Sequence, residues 1–411
     1  MGTFVRFYTD TVYVVFLKGG LWHGFCYLIF KTILMAELFD QNFEYKPVAA
    51  RHFNPHTIIL TKGWDNSDIS RNRTEGICSA YPEATVIDKS NVPHNRVYLK
   101  QTDLLSMHYI GKQTLVLGVH NSALRFSEEQ ENTCPNYWHF SPYGFCPYDC
   151  KYCYLAGTPG VKFSPTVKIF LNLEHILDNI NKAASKLTEP TAFYLGKLQD
   201  GLALDSLTGY SRIMVPFFAS QKHARMTLLT KCGDVKNLLD LKHNEHTILS
   251  WSLNPPEVSE MFETNVPSIQ ERISAMQKCA NAGYPVRAVI MPIIPVDNWQ
   301  QVYSDFLELL LANIVLDRIT LGQICSYSTA MQLTERKLGQ QNTISEQLEK
   351  AKSSDGRVRF PCQLRKDVYK HFIDHIGKQK PDLQIGLCLE EKTIFKSLGM
   401  EATIGQCNCV L

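Results

Sequence analysis

Tyr137-Trp138-His139-Phe140-Ser141 leads through Pro142-Tyr143-Gly144-Phe145 into Cys146-Pro147-Tyr148-Asp149-Cys150-Lys151-Tyr152-Cys153-Tyr154. The first five residues are aromatic and apolar, as a short strand should be. The loop after them carries three thiols at C-x3-C-x2-C spacing. Three thiolates so spaced can wrap one corner of a cubane iron–sulfur cluster, ligating three of its four irons and leaving the fourth open. A structural cluster or a zinc site would want a fourth protein ligand nearby, usually from a second C-x2-C pair. The next cysteine is Cys232. A zinc knuckle or three buried thiols are the alternatives. The loop follows the C-terminal end of a strand, which is where β/α barrels keep their active sites.

Downstream, strand and helix patterns alternate. Strands are expected at Tyr137–Ser141, Ala192–Gly196, Met226–Thr230, Thr247–Leu253, Val286–Met291 and Arg318–Ile324. Amphipathic helices fall between them, at 173–187, 269–282 and 299–311, and Ser268 with Glu271 makes a capping box for the second. Six such units in series predict an α/β fold: a partial parallel (β/α)6 barrel. Upstream, Thr57–Thr61, Ala84–Ile87 and Thr114–Val119 read as strands and 66–80 as a helix, which predicts a small N-terminal α/β region. The polar stretch 128–136, with Cys134 and Pro135, reads as a linker. The expected organisation is a small α/β region over 35–134, the partial barrel over 135–330, and a helical C-terminal appendix with a cysteine tail over 331–411. Residues 1–34 form an apolar extension, read either as a start placed ahead of Met35 or as a membrane anchor.

The 411 residues are 45% hydrophobic and 20% charged, a balance that supports a large core and excludes a disordered chain. Lys and Arg total 42 against 40 Asp and Glu, a formal charge of +2, so a polybasic nucleic-acid coat is excluded while a local basic groove is not. Lys168 is one of several cations that could line such a groove. Thirteen cysteines are too few for a disulfide scaffold, and six of them fall in two clusters. In a reducing cytoplasm that reads as metal chemistry.

The loop resembles the signature of the radical S-adenosylmethionine superfamily, and its surroundings resemble one family within it. Cys153-Tyr154-Leu155, Lys168-Ile-Phe-Leu-Asn172-Leu, Thr230-Lys231, Lys242-His243-Asn244, Ser250-Trp-Ser252-Leu-Asn254, Ala282-Gly283-Tyr284-Pro285 and Met291-Pro292-Ile293 are similar, in order, to the spore photoproduct lyase family. That resemblance implies a radical lyase that repairs a thymine photoproduct in DNA. Cys146, Cys150 and Cys153 would hold a [4Fe-4S] cluster whose open iron binds S-adenosylmethionine. Lys231 and Ser252 would contact the cofactor's carboxylate and ribose, and Gln199 and Asp200 its amino group. Tyr152 and Tyr154 would surround the cofactor and relay a hydrogen atom. Damaged DNA would be the substrate, and a flavodoxin or ferredoxin the electron donor.

One position departs from the family. Its hydrogen-donating cysteine lies in a Phe-x-x-x-Cys-x-x-Asp context, whereas Phe193-Tyr-Leu-Gly-Lys197-Leu-Gln-Asp200 places Lys197 there. An ammonium N–H bond is too strong to give a hydrogen atom to a carbon radical. Cys232, after the third strand, and Cys325, after the sixth, are expected to point towards the mouth, and Cys232 is the preferred substitute. The departure keeps other substrates in view: RNA, a peptide or a metabolite. A non-catalytic iron–sulfur or zinc scaffold is the rival outside enzymology. The tail carries Cys388 and then Cys407-Asn-Cys409, a possible second metal site for an auxiliary iron–sulfur cluster or zinc, with Cys362 or a substrate as fourth ligand.

Overall fold

A computed structural model describes residues 45–100, 103–128, 133–158, 161, 163–349, 353 and 355–411. The apolar extension over 1–34 lies outside the described residues. Among those described, no helix is long and apolar enough to cross a membrane. The N-terminal region comprises β1 (Thr57–Thr61), α1 (Asp68–Ser79), β2 (Thr85–Lys89), α2 (Leu104–Lys112) and β3 (Thr114–Gly118). Then come β4 (Leu124–Ser127), β5 (Tyr137–Phe140), β6 (Tyr143–Gly144), β7 (Asp149–Cys150), β8 (Val167–Phe170) and α3 (Leu173–Ala184). They are followed by β9 (Thr191–Leu195), α4 (Asp205–Thr208), α5 (Ser211–Ala219), β10 (Ala224–Thr230) and β11 (Thr247–Leu253). Next are α6 (Pro256–Phe262), β12 (Glu263–Thr264), α7 (Ile269–Asn281), β13 (Val286–Ile293), α8 (Trp299–Asn313) and β14 (Arg318–Gln323). The chain closes with β15 (Cys325–Ser326), α9 (Ser328–Leu338), β16 (Val358–Arg359), α10 (Cys362–Gln379), β17 (Gln384–Leu387) and α11 (Lys392–Leu398).

The large sheet has the order β17-β14-β13-β11-β10-β9-β5-β4. Neighbours from β5 to β17 are parallel, and β4 runs antiparallel to β5 at one edge. The six expected strands appear within two residues of their expected ends. β11 is buried along its whole length, as a parallel strand covered on both faces must be. The covering helices explain why. On α3, Ile176, Leu177, Ile180 and Ala184 recur at helical spacing and are all buried. The Ser268–Glu271 capping box forms at the start of α7 as expected.

Two expectations need correction. The appendix is not wholly helical: β17 extends the parallel sheet as its seventh parallel strand, and β16 pairs with β15. β17 is only four residues long, and a strand so short at an edge leaves almost no periodic signal. The N-terminal sheet, of order β2-β1-β3-β8-β6, also borrows β8 and β6 from beyond residue 135. The cysteine loop is therefore slung between two sheets. β5 belongs to one, β6 to the other, and β7 pairs with β12 so that Cys150 sits opposite Glu263. Lys168, read as a surface cation, is buried in β8. Its ammonium donates to the carbonyls of Ser164 and Thr166 and to Thr166 Oγ1, at 2.6, 3.0 and 2.9 Å.

Candidate active site

The loop that carries the three thiols is held by charged groups from outside it. The Lys112 ammonium, at the end of α2, donates to the carbonyls of Cys146 (2.5 Å) and Tyr148 (2.6 Å) and lies 3.9 Å from the Phe145 ring centre. Asp149 pairs with His108 Nε2 at 2.6 Å and with the ammonium of Lys337 on α9. Burial pushes His108 down to about 4, and these two partners hold the Asp149 carboxyl well below the usual carboxylate range against the opposing effect of burial. These anchors fix the backbone of the loop and leave its thiols to face inward. Burial pushes the Cys146 thiol up and the Cys150 thiol up to about 12, so both are protonated until a metal draws the proton off. Lys112→Met would remove two charge-assisted hydrogen bonds and strand two carbonyls. We expect a loss of about 2–4 kcal/mol, read from denaturant midpoints, with faster loss of bound iron. An unchanged midpoint would remove Lys112 from this role.

Cys146, Cys150 and Cys153 line one cavity of about 180 Å³, and Gln199, Asp200, Lys231, Ser252, Tyr152 and Tyr154 share its wall. The loop and the ends of β9, β10 and β11 thus converge as the sequence predicts. No three His, Cys, Asp or Glu side chains among the described residues stand ready to hold a single metal ion. A cubane asks for something else, one thiolate at each of three separate irons. Three buried polar atoms on the cavity wall are left without a partner: Gln199 Oε1, Gln323 Oε1 and Ser326 Oγ. Buried polar groups are normally satisfied, so orphaned acceptors around three thiols fit a polar ligand that brings its own donors.

The remaining expected residues divide. Gln199 is 4% exposed; its amide N–H donates to Phe140 O at 3.1 Å and its carbonyl oxygen is open to an ammonium. Asp200 instead organises the backbone. Its Oδ1 accepts from the N–H groups of Leu202 and Ala203, both at 2.9 Å, and from Thr230 Oγ1 at 2.6 Å, while Oδ2 accepts from the Lys231 N–H at 2.7 Å. The Lys231 ammonium donates to Ser252 Oγ at 2.9 Å and pairs with Glu263 at 2.8 Å. Tyr152 also donates to Glu263, whose second oxygen takes Arg272 at 2.6 Å. Glu263 has no exposed side-chain surface, and sequence reasoning missed it. Nothing in Met261-Phe262-Glu263-Thr264 marks it, because its role comes from the pairing of β12 with β7. The Tyr154 hydroxyl donates to Lys197 O at 2.5 Å.

Cys232 is a correction. It lines a different cavity, with Tyr148, His52 and Asp234, and its thiol donates to Asp234 O at 3.4 Å. Cys325 lines the cavity of the three thiols. Burial pushes Cys325 up to about 11, so it is a protonated thiol at neutral pH. The Lys197 ammonium is turned onto Ser127 Oγ and lies 5.0 Å from the Tyr137 ring centre.

Comparison with known proteins bears directly on this arrangement. The family model for spore photoproduct lyase matches residues 67–343, a span that includes the loop, the strand ends and Glu263. The chain belongs to the spore photoproduct lyase family. That family is part of the radical S-adenosylmethionine superfamily. The spore photoproduct lyase of Bacillus subtilis (strain 168) is 30% identical over 232 residues, 56% of this chain and 66% of that protein. That of Clostridium acetobutylicum is 30% identical over 201 residues, 48% of this chain and 57% of that protein. The chain thus spans between 57% and 66% of the length of these curated relatives. A solved spore photoproduct lyase complexed with dinucleoside spore photoproduct superposes with a TM-score of 0.71 at 21% identity, covering 82% of this chain and 99% of that one. A variant of spore photoproduct lyase with bound AdoMet and the dinucleoside gives a TM-score of 0.70 at 21% identity, covering 81% of this chain and 98% of that one. These likenesses establish the fold.

Proposed function

We propose that the chain is a radical S-adenosylmethionine lyase that reverses a thymine photoproduct in DNA. The observation that carries this reading is one cavity that brings three family thiols together with open acceptors at the C-terminal ends of parallel strands. The open seven-strand parallel array is read as a partial barrel around that cavity, with the N-terminal sheet and the C-terminal appendix as its flanks. Cys146, Cys150 and Cys153 would hold a [4Fe-4S] cluster. When bound, that cluster would supply the electron that opens S-adenosylmethionine at its sulfonium for radical chemistry on the substrate. Gln199 Oε1 would accept from the cofactor's ammonium. Lys231 would give its carboxylate a donor while Glu263 and Ser252 keep that ammonium in place. A lesion in a duplex must leave the stack to reach a cavity of this kind. The electron comes from a flavodoxin or ferredoxin in a reducing cytoplasm. The tail thiols Cys388, Cys407 and Cys409 would be the ligands of any auxiliary iron–sulfur cluster or zinc.

The test is anaerobic reconstitution, reduction, and incubation with S-adenosylmethionine and a synthetic spore-photoproduct dinucleotide. Thymine and 5′-deoxyadenosine should appear together. Formation of 5′-deoxyadenosine without thymine would overturn the DNA substrate and favour RNA, a peptide or a metabolite, a reading that the Lys197 departure favours. No 5′-deoxyadenosine at all would favour a scaffold.

Cys325, which lines this cavity, is our proposed thiol for returning the hydrogen atom. Cys325→Ala should keep 5′-deoxyadenosine formation while at least about 10-fold less thymine is recovered and aberrant adducts accumulate. Cys232→Ala should give the parent's products. The opposite pattern would return the role to Cys232.

A further inference from the structure

The N-terminal sheet carries a second cavity, of about 510 Å³, that shares no lining residue with the three-thiol cavity. Its place follows from the topology. β1 and β3 are parallel neighbours, but β1 leads through α1 to β2 on one side, whereas β3 leads on to β8 on the other. Loops that leave two adjacent strands in opposite directions open a crevice at the carboxyl ends of those strands, where open α/β sheets take their ligands. The cavity lies there: Lys62 follows β1, Val119 and Asn121 follow β3, and Asn172 follows β8. The two central loops meet tightly. A side chain on Gly63 would meet Val119 Cγ2 at 2.7 Å, and one on Gly118 would collide with Thr61 Oγ1, so glycine at both positions lets the loops approach. β6 runs antiparallel to β8, so the cysteine loop departs from the other edge of this sheet.

We infer that this crevice binds a mononucleotide, with its phosphate beside Lys62. The Lys62 ammonium has no hydrogen-bond or ion-pair partner among the described residues. Glu174, the one carboxylate on the wall, is held through both oxygens by Arg73, at 3.0 and 2.5 Å, so it does not compete for Lys62. The wall also includes the starts of two twelve-residue helices, at Ser67 before α1 and Asn172 before α3. Asn172 does not cap α3 with its side chain; its Oδ1 accepts from the His120 N–H at 3.0 Å, which leaves the first N–H groups of α3 without a side-chain acceptor. A phosphate supplies such an acceptor. The rest of the wall suits a polar base. The side-chain amides of Asn66, Asn95 and Asn121 have no partner among the described residues, and His94 Nδ1 is buried without one. Each amide offers donors and an acceptor, as the edge of a base requires. The volume lies within the range of about 300–1,000 Å³ in which small ligands are enclosed. An apolar ligand would leave Lys62 and these amides unused.

This inference goes beyond the lyase reading, and its test reads binding and not turnover. The full chain would be titrated by calorimetry with the common nucleoside 5′-monophosphates, the matching nucleosides, inorganic phosphate and a short single-stranded oligonucleotide. At least one mononucleotide should bind saturably at a single site, at least about 10-fold more tightly than its nucleoside or inorganic phosphate. Lys62→Glu should weaken that binding by at least about 10-fold, and Lys62→Arg should retain it. Lys62 is exposed, so both variants should melt like the parent. Ser252→Ala, which alters the three-thiol cavity, should bind the mononucleotide as the parent does. Absence of saturable binding by every mononucleotide would overturn the inference, and so would equal affinity in the parent and Lys62→Glu. Binding lost in Ser252→Ala but kept in Lys62→Glu would overturn it by placing the nucleotide in the three-thiol cavity. Lys62-dependent binding of the oligonucleotide alone would overturn the small-molecule class and give the crevice to a DNA strand.

Discussion

Cys150→Ala should abolish the visible absorbance of the three-thiol cluster and the cleavage of S-adenosylmethionine together. Cys150 is buried in the two-residue strand β7, opposite Glu263, and its backbone pairing does not depend on the thiol. Removing one sulfur from a partly buried loop leaves that pairing in place, so the melting temperature should change little. The chemistry should not survive. A cubane held at three corners has no spare protein ligand, and among the described residues no other cysteine besides Cys325 lines this cavity. Changes to residues behind a ligand typically reduce metal affinity or activity by about 10–100-fold, and loss of a ligand should exceed that. Iron bound at the three-thiol site and 5′-deoxyadenosine formation should fall in parallel. Cleavage that persists after the absorbance is lost would remove Cys150 from the ligand set.

The contrast between what the chain spells out and what it hides follows from physical range. The parallel strands were legible because each is a run of β-branched and aromatic residues buried on both faces, a local property of Thr247–Leu253 or Val286–Ile293. The thiol triad was legible because metal ligands on one loop are fixed by spacing. Glu263 was not. It stands opposite Cys150 only because β12 pairs with β7, and no local pattern encodes a contact across that distance. Which of Cys232 and Cys325 lines the three-thiol cavity was hidden for a related reason. Both lie beyond the last residue of a strand, where the period-two alternation that tells inside from outside has lapsed. The membership of β8 in the N-terminal sheet was hidden likewise, since a four-residue strand does not name its partners.

Glu263→Gln should be the most destabilising single change near the site. The Glu263 carboxylate is fully buried and takes Lys231 at 2.8 Å, Arg272 at 2.6 Å, Ser259 Oγ at 3.1 Å and the Tyr152 hydroxyl. Arg272 has no exposed side-chain surface either, and donates onward to Ser252 O at 3.1 Å and Pro267 O at 2.9 Å. Glutamine keeps the shape and removes the charge, leaving Arg272 and Lys231 in a site built around an anion. Breaking a buried pair from one side costs about 3–5 kcal/mol, which should appear as a lower denaturant midpoint with an unchanged slope. Burial opposes ionisation of Glu263, yet the two cations hold its carboxyl below the ordinary value of 4.5. A depressed carboxyl contributes stability above its unfolded-chain value and loses it as pH falls through the acid range. The parent should therefore weaken on acidification below about pH 4.5, and the variant should lack that part of the decline. Adding Arg272→Met should restore part of the loss, because it removes one of the two stranded cations. A double variant as unstable as the sum of its parts would mean that Glu263 and Arg272 act independently.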